Sequence, residues 1–323
     1  FNENPKYLKF KKDTFMNIVP IVFAFDNNII QAACVCLSSL MMNADKNTYY
    51  DIFILHSPDV NLRKEELVKI PEAYPNCRIR YRSVDNSFES AYEIRGVTKA
   101  TYYRLLIPDL IREYDKIIYS DVDIIFRMDL WDVYNQDISD YYIAATLDLG
   151  LNQDEKHLKS IDVTPGEYLQ AGFMIFNLQK MREDGMVHKF KSIVNNNYEY
   201  QDQDIINISC KNRIKYLPPC YNVNDCALIQ IYWYPETLPE TISKADCEFA
   251  KRNGNIHYSG YKPWKRYCIG FDIWWEYYRK SPFYDELYYF KFFFDKTMLL
   301  ESLSLWKRIK ILIRYFVYGR YKG

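Results

Sequence analysis

The chain has no net charge to offer a polyanion: 42 Lys plus Arg face 42 Asp plus Glu over 323 residues. Nucleic acids are held by a basic excess that neutralises phosphates, so a generally nucleic-acid-binding surface is excluded. Long apolar runs are missing as well. None reaches the roughly 18 residues needed to cross a bilayer, and no signal peptide is visible, although the first residue is Phe1 rather than Met. The eight cysteines lack the paired spacing of metal fingers. Cys34 and Cys36 fall on nearly opposite sides of an expected helix, so reduced, mostly buried thiols in a cytosolic setting are expected. Disorder is excluded by 49% apolar and only 26% charged residues. What the chain does have is aromatic residues, 17% of the total with 31 Tyr. They crowd its last third, where amphipathic interfaces become an option.

The stretch around which the rest is organised is residues 117–126, Ile-Ile-Tyr-Ser-Asp-Val-Asp-Ile-Ile-Phe. Ile, Tyr, Val and Phe at this density predict a strand buried on both faces. Asp121 and Asp123 would then point the same way, and a buried carboxylate without a partner is very costly. A hard divalent cation, Mg²⁺ or Mn²⁺, is the simplest partner, since it takes oxygen ligands and often holds substrate phosphates. Asp-x-Asp is common in surface loops; its place inside an apolar strand gives it weight.

Around this stretch strands alternate with helices. After a loose polar and basic leader over 1–16, a strand over 18–25 runs into Asp26-Asn27-Asn28, and apolar residues at helical spacing predict a helix over 29–42. Further strands are expected over 50–56, 77–84, 142–147 and 171–177, and helices over 61–73, 101–112 and 178–195. The alternation predicts an α/β fold, a mainly parallel sheet sandwiched by helices. In such sheets ligands gather beyond the carboxyl ends of the strands, where Asp26 and Asp121 lie. Several polar residues have ordinary explanations: Arg104 a solvated residue on a helix surface, Asp202 a helix cap, His257 a surface or packed residue at a strand end. Gly172 marks either a close approach of backbone or ligand, or a bulge. Asp129 is expected to cap a short helix.

Taken together, these segments resemble glycosyltransferase family 8, retaining sugar transferases with a GT-A (Rossmann-like) fold, and within it the bacterial lipooligosaccharide α-galactosyltransferases. The resemblance rests on Asp26-Asn27-Asn28 after the first strand, Thr101-Tyr102-Tyr103-Arg104, Ser120-Asp121-Val122-Asp123, Ala171-Gly172, Tyr200-Gln201-Asp202-Gln203-Asp204 and His257-Tyr258-Ser259-Gly260-Tyr261-Lys262-Pro263-Trp264. It implies a catalytic domain over 17–265 that uses UDP-galactose or UDP-glucose with Mn²⁺, or Mg²⁺ in its place. Asp121, Asp123 and His257 would ligate the metal. Ala24, Asp26 and Asn28 would hold uracil and ribose, Val122 would add to the nucleotide site, and Gly260 and Lys262 would contact the diphosphate. Arg104, Asp148, Asp202 and Gln203 would surround the donor sugar, Gln203 nearest the anomeric carbon. Two positions depart from the pattern. Asn27 stands where relatives often have Asp, and Gln170 where they often have Asn, so donor identity is less constrained than nucleotide and metal binding.

Breaking a sugar–phosphate bond puts negative charge on UDP, which a bound cation and Lys262 would stabilise. Imidazole suits Mn²⁺ better than Mg²⁺. Retention normally calls for a carboxylate nucleophile, yet the resemblance places the amide of Gln203 there. That favours attack from the face that UDP leaves; double displacement through Asp202 or another carboxylate stays open. The acceptor would be a saccharide, glycolipid or glycoprotein, as in lipopolysaccharide or capsule synthesis. Two other readings compete: a haloacid-dehalogenase-type phosphatase, whose later Gly-Asp-x-x-x-Asp cluster is not found here, and a sugar-nucleotide-binding or assembly protein without transferase activity.

Past residue 265 the match fades into a C-terminal helical extension over 266–323. Residues 271–294 are read as helices packing on the core. Over 305–322, Trp306, Ile309, Ile313, Phe316 and Val317 form one helical stripe and Lys307, Lys310 and Arg314 another, with no acidic residue after Glu301. Such a helix suits an anionic membrane surface; a docked helix with a solvated basic face is the alternative. The expected location is cytoplasmic, peripheral on the inner face of the cell membrane where that helix binds lipid.

Overall fold

The computed structural model describes residues 17–58, 61–84 and 99–318. The leader over 1–16, the part of the 305–322 segment past 318 and the Arg314 side chain lie outside the described residues. Among the described residues ten strands follow in chain order: β1 (Asn17–Ala24), β2 (Thr48–His56), β3 (Cys77–Ser83), β4 (Lys116–Ser120), β5 (Ile124–Ile125), β6 (Ile143–Leu147), β7 (Leu169–Asn177), β8 (Ile214–Tyr216), β9 (Val223–Asn224) and β10 (Ile256–His257). Seven of them form one sheet in the order β3-β2-β1-β4-β7-β6-β8. β3, β2, β1 and β4 run parallel, β7 is antiparallel to both β4 and β6, and β8 is parallel to β6. The expected α/β architecture with a mainly parallel sheet is therefore present.

The continuous apolar runs have a simple cause. Alternate residues of β1 and β2 enter opposite cores: Val22, Phe53 and Leu55 on one face, Ile21, Phe23, Ile52 and Ile54 on the other. A strand buried on both faces has no polar side to show. The helix Ile30–Met42 covers the second face through Ile30, Leu37 and Leu40, while Leu178, Met181, Phe190 and Ile205 cover the first.

Some expected helices are broken. The 61–73 segment forms two short pieces, Lys64–Leu67 and Lys69–Ala73. The 178–195 segment divides at Gly185, whose φ of 62° ends Leu178–Glu183 before Met186–Ile193 begins. The 101–112 segment is a 3-10 helix, Lys99–Leu106, followed by the short helix Ile107–Leu110. Pro108 suits the start of a helix but has no N–H to continue a ladder from the turn before it.

The larger correction concerns residues 117–126, which are not one strand. β4 stops at Ser120, the chain turns through Asp121–Asp123, and β5 belongs to a separate small sheet, β5-β10-β9. The Asp121 N–H still donates to the Gly172 carbonyl of β7 at 2.8 Å, whereas the Asp123 carbonyl accepts from the Tyr258 N–H at 2.9 Å. The two aspartates thus bridge two sheets, and antiparallel pairing of β5 with β10 sets His257 opposite Ile124.

The helix Phe271–Lys280 buries Phe271, Trp274, Trp275 and Tyr278 in a cluster with Val35, Ile125, Val223 and Ile256. This part of the 271–294 segment packs on the core as expected. The helix Glu286–Glu301 adds Tyr288, Tyr289, Phe292 and Phe293 to that cluster but leaves Leu287, Phe290, Phe294 and Met298 exposed. The next helix, Leu305–Tyr318, exposes Trp306, Ile313, Phe316 and Val317. Among the described residues no helix is long and apolar enough to cross a membrane. All eight cysteines are free and six are buried.

Candidate active site

A cavity of about 640 Å³ opens beyond the carboxyl ends of β1 and β4. Its wall brings together Ala24 at the end of β1 with Asp26 and Asn28 from the corner that follows, Asp121, Val122 and Asp123 from the turn after β4, and His257 of β10 with Gly260 and Lys262 from the turn after it. Arg104, Gln170, Asp202 and Gln203 line it too.

The centre of the wall is Asp121, Asp123 and His257, whose ligand atoms lie within 4.8 Å of one another. The protonation of His257 follows from a backbone donor. The Gly172 N–H donates to Gln170 Oε1 at 2.6 Å, which orients that amide; Asn222 Nδ2 donates to the same oxygen, so Asn222 Oδ1 faces His257 Nδ1 at 2.8 Å. Nδ1 must carry a proton to make that bond. In the neutral imidazole, Nε2 is then a lone pair 3.2 Å from Asp123 Oδ1 and 3.7 Å from Asp121 Oδ2. Asp123 Oδ1 is buried without a hydrogen-bond partner. Acceptors aimed at one another in a buried place call for a positive charge between them, supplied by a proton on Nε2 or by a divalent ion, which this donor set of two carboxylates and an imidazole fits. Burial works against the Asp123 carboxylate, but Lys262, at 2.6 Å, together with His257 when its imidazole is protonated, outweighs it and holds its carboxyl well below the usual range.

Arg104 corrects its ordinary reading. It is only 6% exposed, because the 3-10 helix turns it inward over the Tyr119 ring. It donates to the Ala171 carbonyl at 2.6 Å and to Asp121 Oδ1 at 2.8 Å, and its Nε lies 3.0 Å from Asp202 Oδ2. Burial would lower its pKa, but Asp121 and Asp202 together raise it above the ordinary arginine value. Asp202 is likewise no cap. It lies inside the helix Gln201–Cys210, and Asp204 instead accepts from the Tyr200 N–H at 2.9 Å. Asp202 Oδ1 accepts from Thr101 Oγ1 at 2.8 Å, and burial pushes its carboxyl up to about 6 against the opposing pull of Arg104. His257 is no surface residue, being buried in the triad.

The Gln203 amide is held from both ends. Its Oε1 accepts from the Ala171 N–H at 2.9 Å and its Nε2 donates to Asp148 Oδ2 at 3.2 Å. Asp148 sits behind Gln203, with Oδ1 accepting from the Gly150 and Leu151 N–H groups at 3.1 and 2.9 Å. Burial raises its pKa. At the corner after β1, Asp26 accepts from the Asn28 N–H at 2.8 Å. The departure Asn27 turns to the neighbouring loop, donating to the Asn61 carbonyl and accepting from the Arg63 N–H, both at 2.9 Å. The other departure, Gln170, is the residue that orients Asn222 and through it His257.

Sequence reasoning missed Asn222, Tyr119 and Asp225. Tyr119 donates to Asp121 Oδ1 at 2.7 Å, and nothing in its local pattern separates it from a core tyrosine. Gly172 was legible as a close approach: a Cβ there would lie 2.3 Å from His257 Cε1.

A parallel half-sheet ending in a cavity whose wall carries an Asp-x-Asp turn and a histidine is the arrangement the resemblance to GT-A glycosyltransferases implies. The chain belongs to glycosyl transferase family 8, whose model matches residues 20–268. In fold it is similar to the galactosyltransferase LgtC solved with donor and acceptor sugar analogs, at 24% identity and a TM-score of 0.73 over 84% of this chain and 100% of that one. It is 29% identical over 208 residues to a Haemophilus influenzae protein carried under the general name glycosyltransferase, covering 62% of this chain and 62% of that relative. A lipopolysaccharide 1,2-glucosyltransferase of Escherichia coli K12 is 22% identical over 256 residues, 77% of this chain and 73% of its own length.

Proposed function

We propose that the protein transfers a hexose, galactose or glucose, from its UDP conjugate to a cell-surface glycan or lipid-linked acceptor with retention of the α configuration. The observation that carries this is the convergence of Asp121, Asp123, His257 and Lys262 on one wall of a cavity that Asp26, Asn28 and Gln203 also line. Asp121, Asp123 and His257 would hold Mn²⁺, or Mg²⁺ in its place, which when bound would neutralise charge on the departing diphosphate. Asp26 and Asn28 would hold the nucleoside, and Gly260 lets the diphosphate approach the backbone. Lys262 adds a positive charge beside the leaving group. Arg104 ties Asp121 to Asp202 and so links the cation wall to the sugar end.

The geometry favours front-face attack. The Gln203 amide is a poor nucleophile, and both Asp202 oxygens are engaged, one by Thr101 and one by Arg104. The acceptor oxygen would bond to the anomeric carbon as the bond to the phosphate oxygen breaks, and that phosphate oxygen takes the hydroxyl proton. Family membership leaves the phosphatase alternative without support. A binding protein that lacks transfer is the second reading, and a screen of UDP-sugars for Mn²⁺-dependent UDP release tests between them: no release from any donor would leave only the binder. Gln203→Ala should lower transfer by roughly tenfold or more while UDP affinity, read by calorimetry, stays within about twofold. Equal losses in both would remove Gln203 from beside the sugar.

The acceptor's membrane gives the C-terminal helices a role. We propose that the C-terminal extension meets the inner face of the cytoplasmic membrane through the helix Leu305–Tyr318, with Trp306, Ile313 and Phe316 inserted and Lys307 and Lys310 facing anionic headgroups. Trp306 is 66% exposed and Leu287, on the preceding helix, 82%. Each basic residue near such a surface is worth about 1 kcal/mol. The variant Trp306→Asp, Phe316→Asp should leave sedimenting anionic vesicles while hydrolysing UDP-sugar at the parental rate; retention of full vesicle binding would show a helix that docks elsewhere.

A further inference from the structure

Lys262 stands where the proposed cation needs room. Its ammonium donates to Asp123 Oδ2 at 2.6 Å and to the carbonyls of Tyr258 and Ser259, so it is the countercharge of a carboxylate that would also ligate the metal. Two cations on one mostly buried carboxylate repel strongly. Lys262 must therefore loosen its hold on Asp123 when a divalent ion takes that residue, and it needs a second anion to stay in the site.

One carboxylate is placed to serve. Asp225 follows β9 directly, and the parallel pairing of Asn224 with His257 sets it beside the turn that leads to Lys262. The lack of a side chain at Gly260 admits it: a Cβ there would lie 2.5 Å from Asp225 Oδ2. Asp225 Oδ1 is buried and has no hydrogen-bond partner, a costly arrangement for a structural residue. Helix capping does not explain it either, since Asn224 caps the helix Asp225–Trp233 by accepting from the Ala227 N–H at 2.9 Å. Burial pushes the Asp225 carboxyl up to about 6, while His257, Lys262 and a hydrogen bond from the Tyr261 N–H in the same turn pull it back down.

We propose that Asp225 is a further positioning residue of this site, the second anchor of Lys262, receiving its ammonium from Asp123 when a divalent cation occupies that carboxylate. Lys262 is then held beside the diphosphate position and no longer competes for the metal ligand. The inference rests on the metal-site reading above, and the test separates the two.

The nucleotide-free full chain is titrated with Mn²⁺ by calorimetry as wild type, Lys262→Met, Asp225→Asn and the double variant. Removing the competing ammonium should tighten Mn²⁺ binding by about tenfold in Lys262→Met. Asp225→Asn should weaken it by roughly threefold to tenfold when Lys262 is present and leave it unchanged in the Lys262→Met background, a non-additive cycle. An equal Asp225→Asn effect in both backgrounds would overturn the anchor, because the carboxylate would then act only through its field. Unchanged or weaker binding in Lys262→Met would also overturn it. No Mn²⁺ binding by wild type or Lys262→Met would instead remove the metal-site reading, and the inference with it. Asn is isosteric with Asp, and thermal unfolding of each variant confirms that the titrated protein is folded.

Discussion

Asp123→Ala is expected to cut Mn²⁺-dependent UDP release at least about 100-fold, the scale on which a single electrostatic stabiliser of a transition state acts. Asp123 carries three separate relations: its Oδ1 faces the His257 lone pair at 3.2 Å, its Oδ2 binds Lys262 at 2.6 Å, and its carbonyl holds the Tyr258 N–H at 2.9 Å. Only the last survives the substitution, so the small sheet should keep its shape while the cation site loses a ligand. Calorimetry should show no Mn²⁺ heat, and release at the wild-type rate under saturating Mn²⁺ would sink the metal assignment. Acid unfolding gives a second readout. A carboxyl held below its ordinary value contributes stability above about pH 4, lost as pH falls further toward the folded-state value. Wild type should therefore lose more stability than the alanine variant on acidification below that point.

Gly172→Ala should come close to the same loss without touching a ligand. The new Cβ would lie 2.3 Å from His257 Cε1, 2.8 Å from its Nδ1 and 2.9 Å from Gln170 Oε1. The imidazole cannot yield easily, because Asn222 holds Nδ1 and Gln170 holds Asn222. Either His257 rotates out of the triad or β7 shifts, and overpacking of this kind costs about 1–3 kcal/mol. Disturbing the partners that orient a metal-ligating histidine typically costs about 10–100-fold in metal affinity. Adding His257→Ala to Gly172→Ala should recover thermal stability but not Mn²⁺ binding. A Gly172→Ala protein with wild-type Mn²⁺ affinity would show that the imidazole is not a ligand.

These two residues also mark how far the sequence can be read. Asp123 was visible from its setting in an apolar run, and Gly172 from its place inside a strand. The reason Gly172 must be glycine was not, because it lies in a side chain 85 positions away. Strands and the helix Ile30–Met42 are legible for a local cause: burial on both faces makes continuous apolar runs, and a helix facing the sheet keeps its spacing. Helix ends inside polar segments were misjudged, as over 178–195, where Gly185 at φ 62° divides what reads as one helix. From the local pattern alone Arg104 and Asp202 read as a surface residue and a cap, because a charged residue is solvated by default; only the family resemblance sets them beside the donor sugar. Arg104 is buried because Asp121 and Asp202 compensate its charge, and Asp202 because Arg104 and the Thr101 hydroxyl compensate its own.

The sequence alone determined the sheet-and-helix alternation, the strand ends at which a site would gather, and the setting of two aspartates in an apolar run. All of these depend on side-chain character within a few residues. Tertiary structure decided that 117–126 is two strands in two sheets, that Asn222 sets the proton on His257, and that Asp225 stands beside the Lys262 turn. Each of these depends on β10 pairing with β5, over 130 positions away, and with β9, over 30 away. No local pattern of apolar and polar residues encodes which distant strand a short one will join.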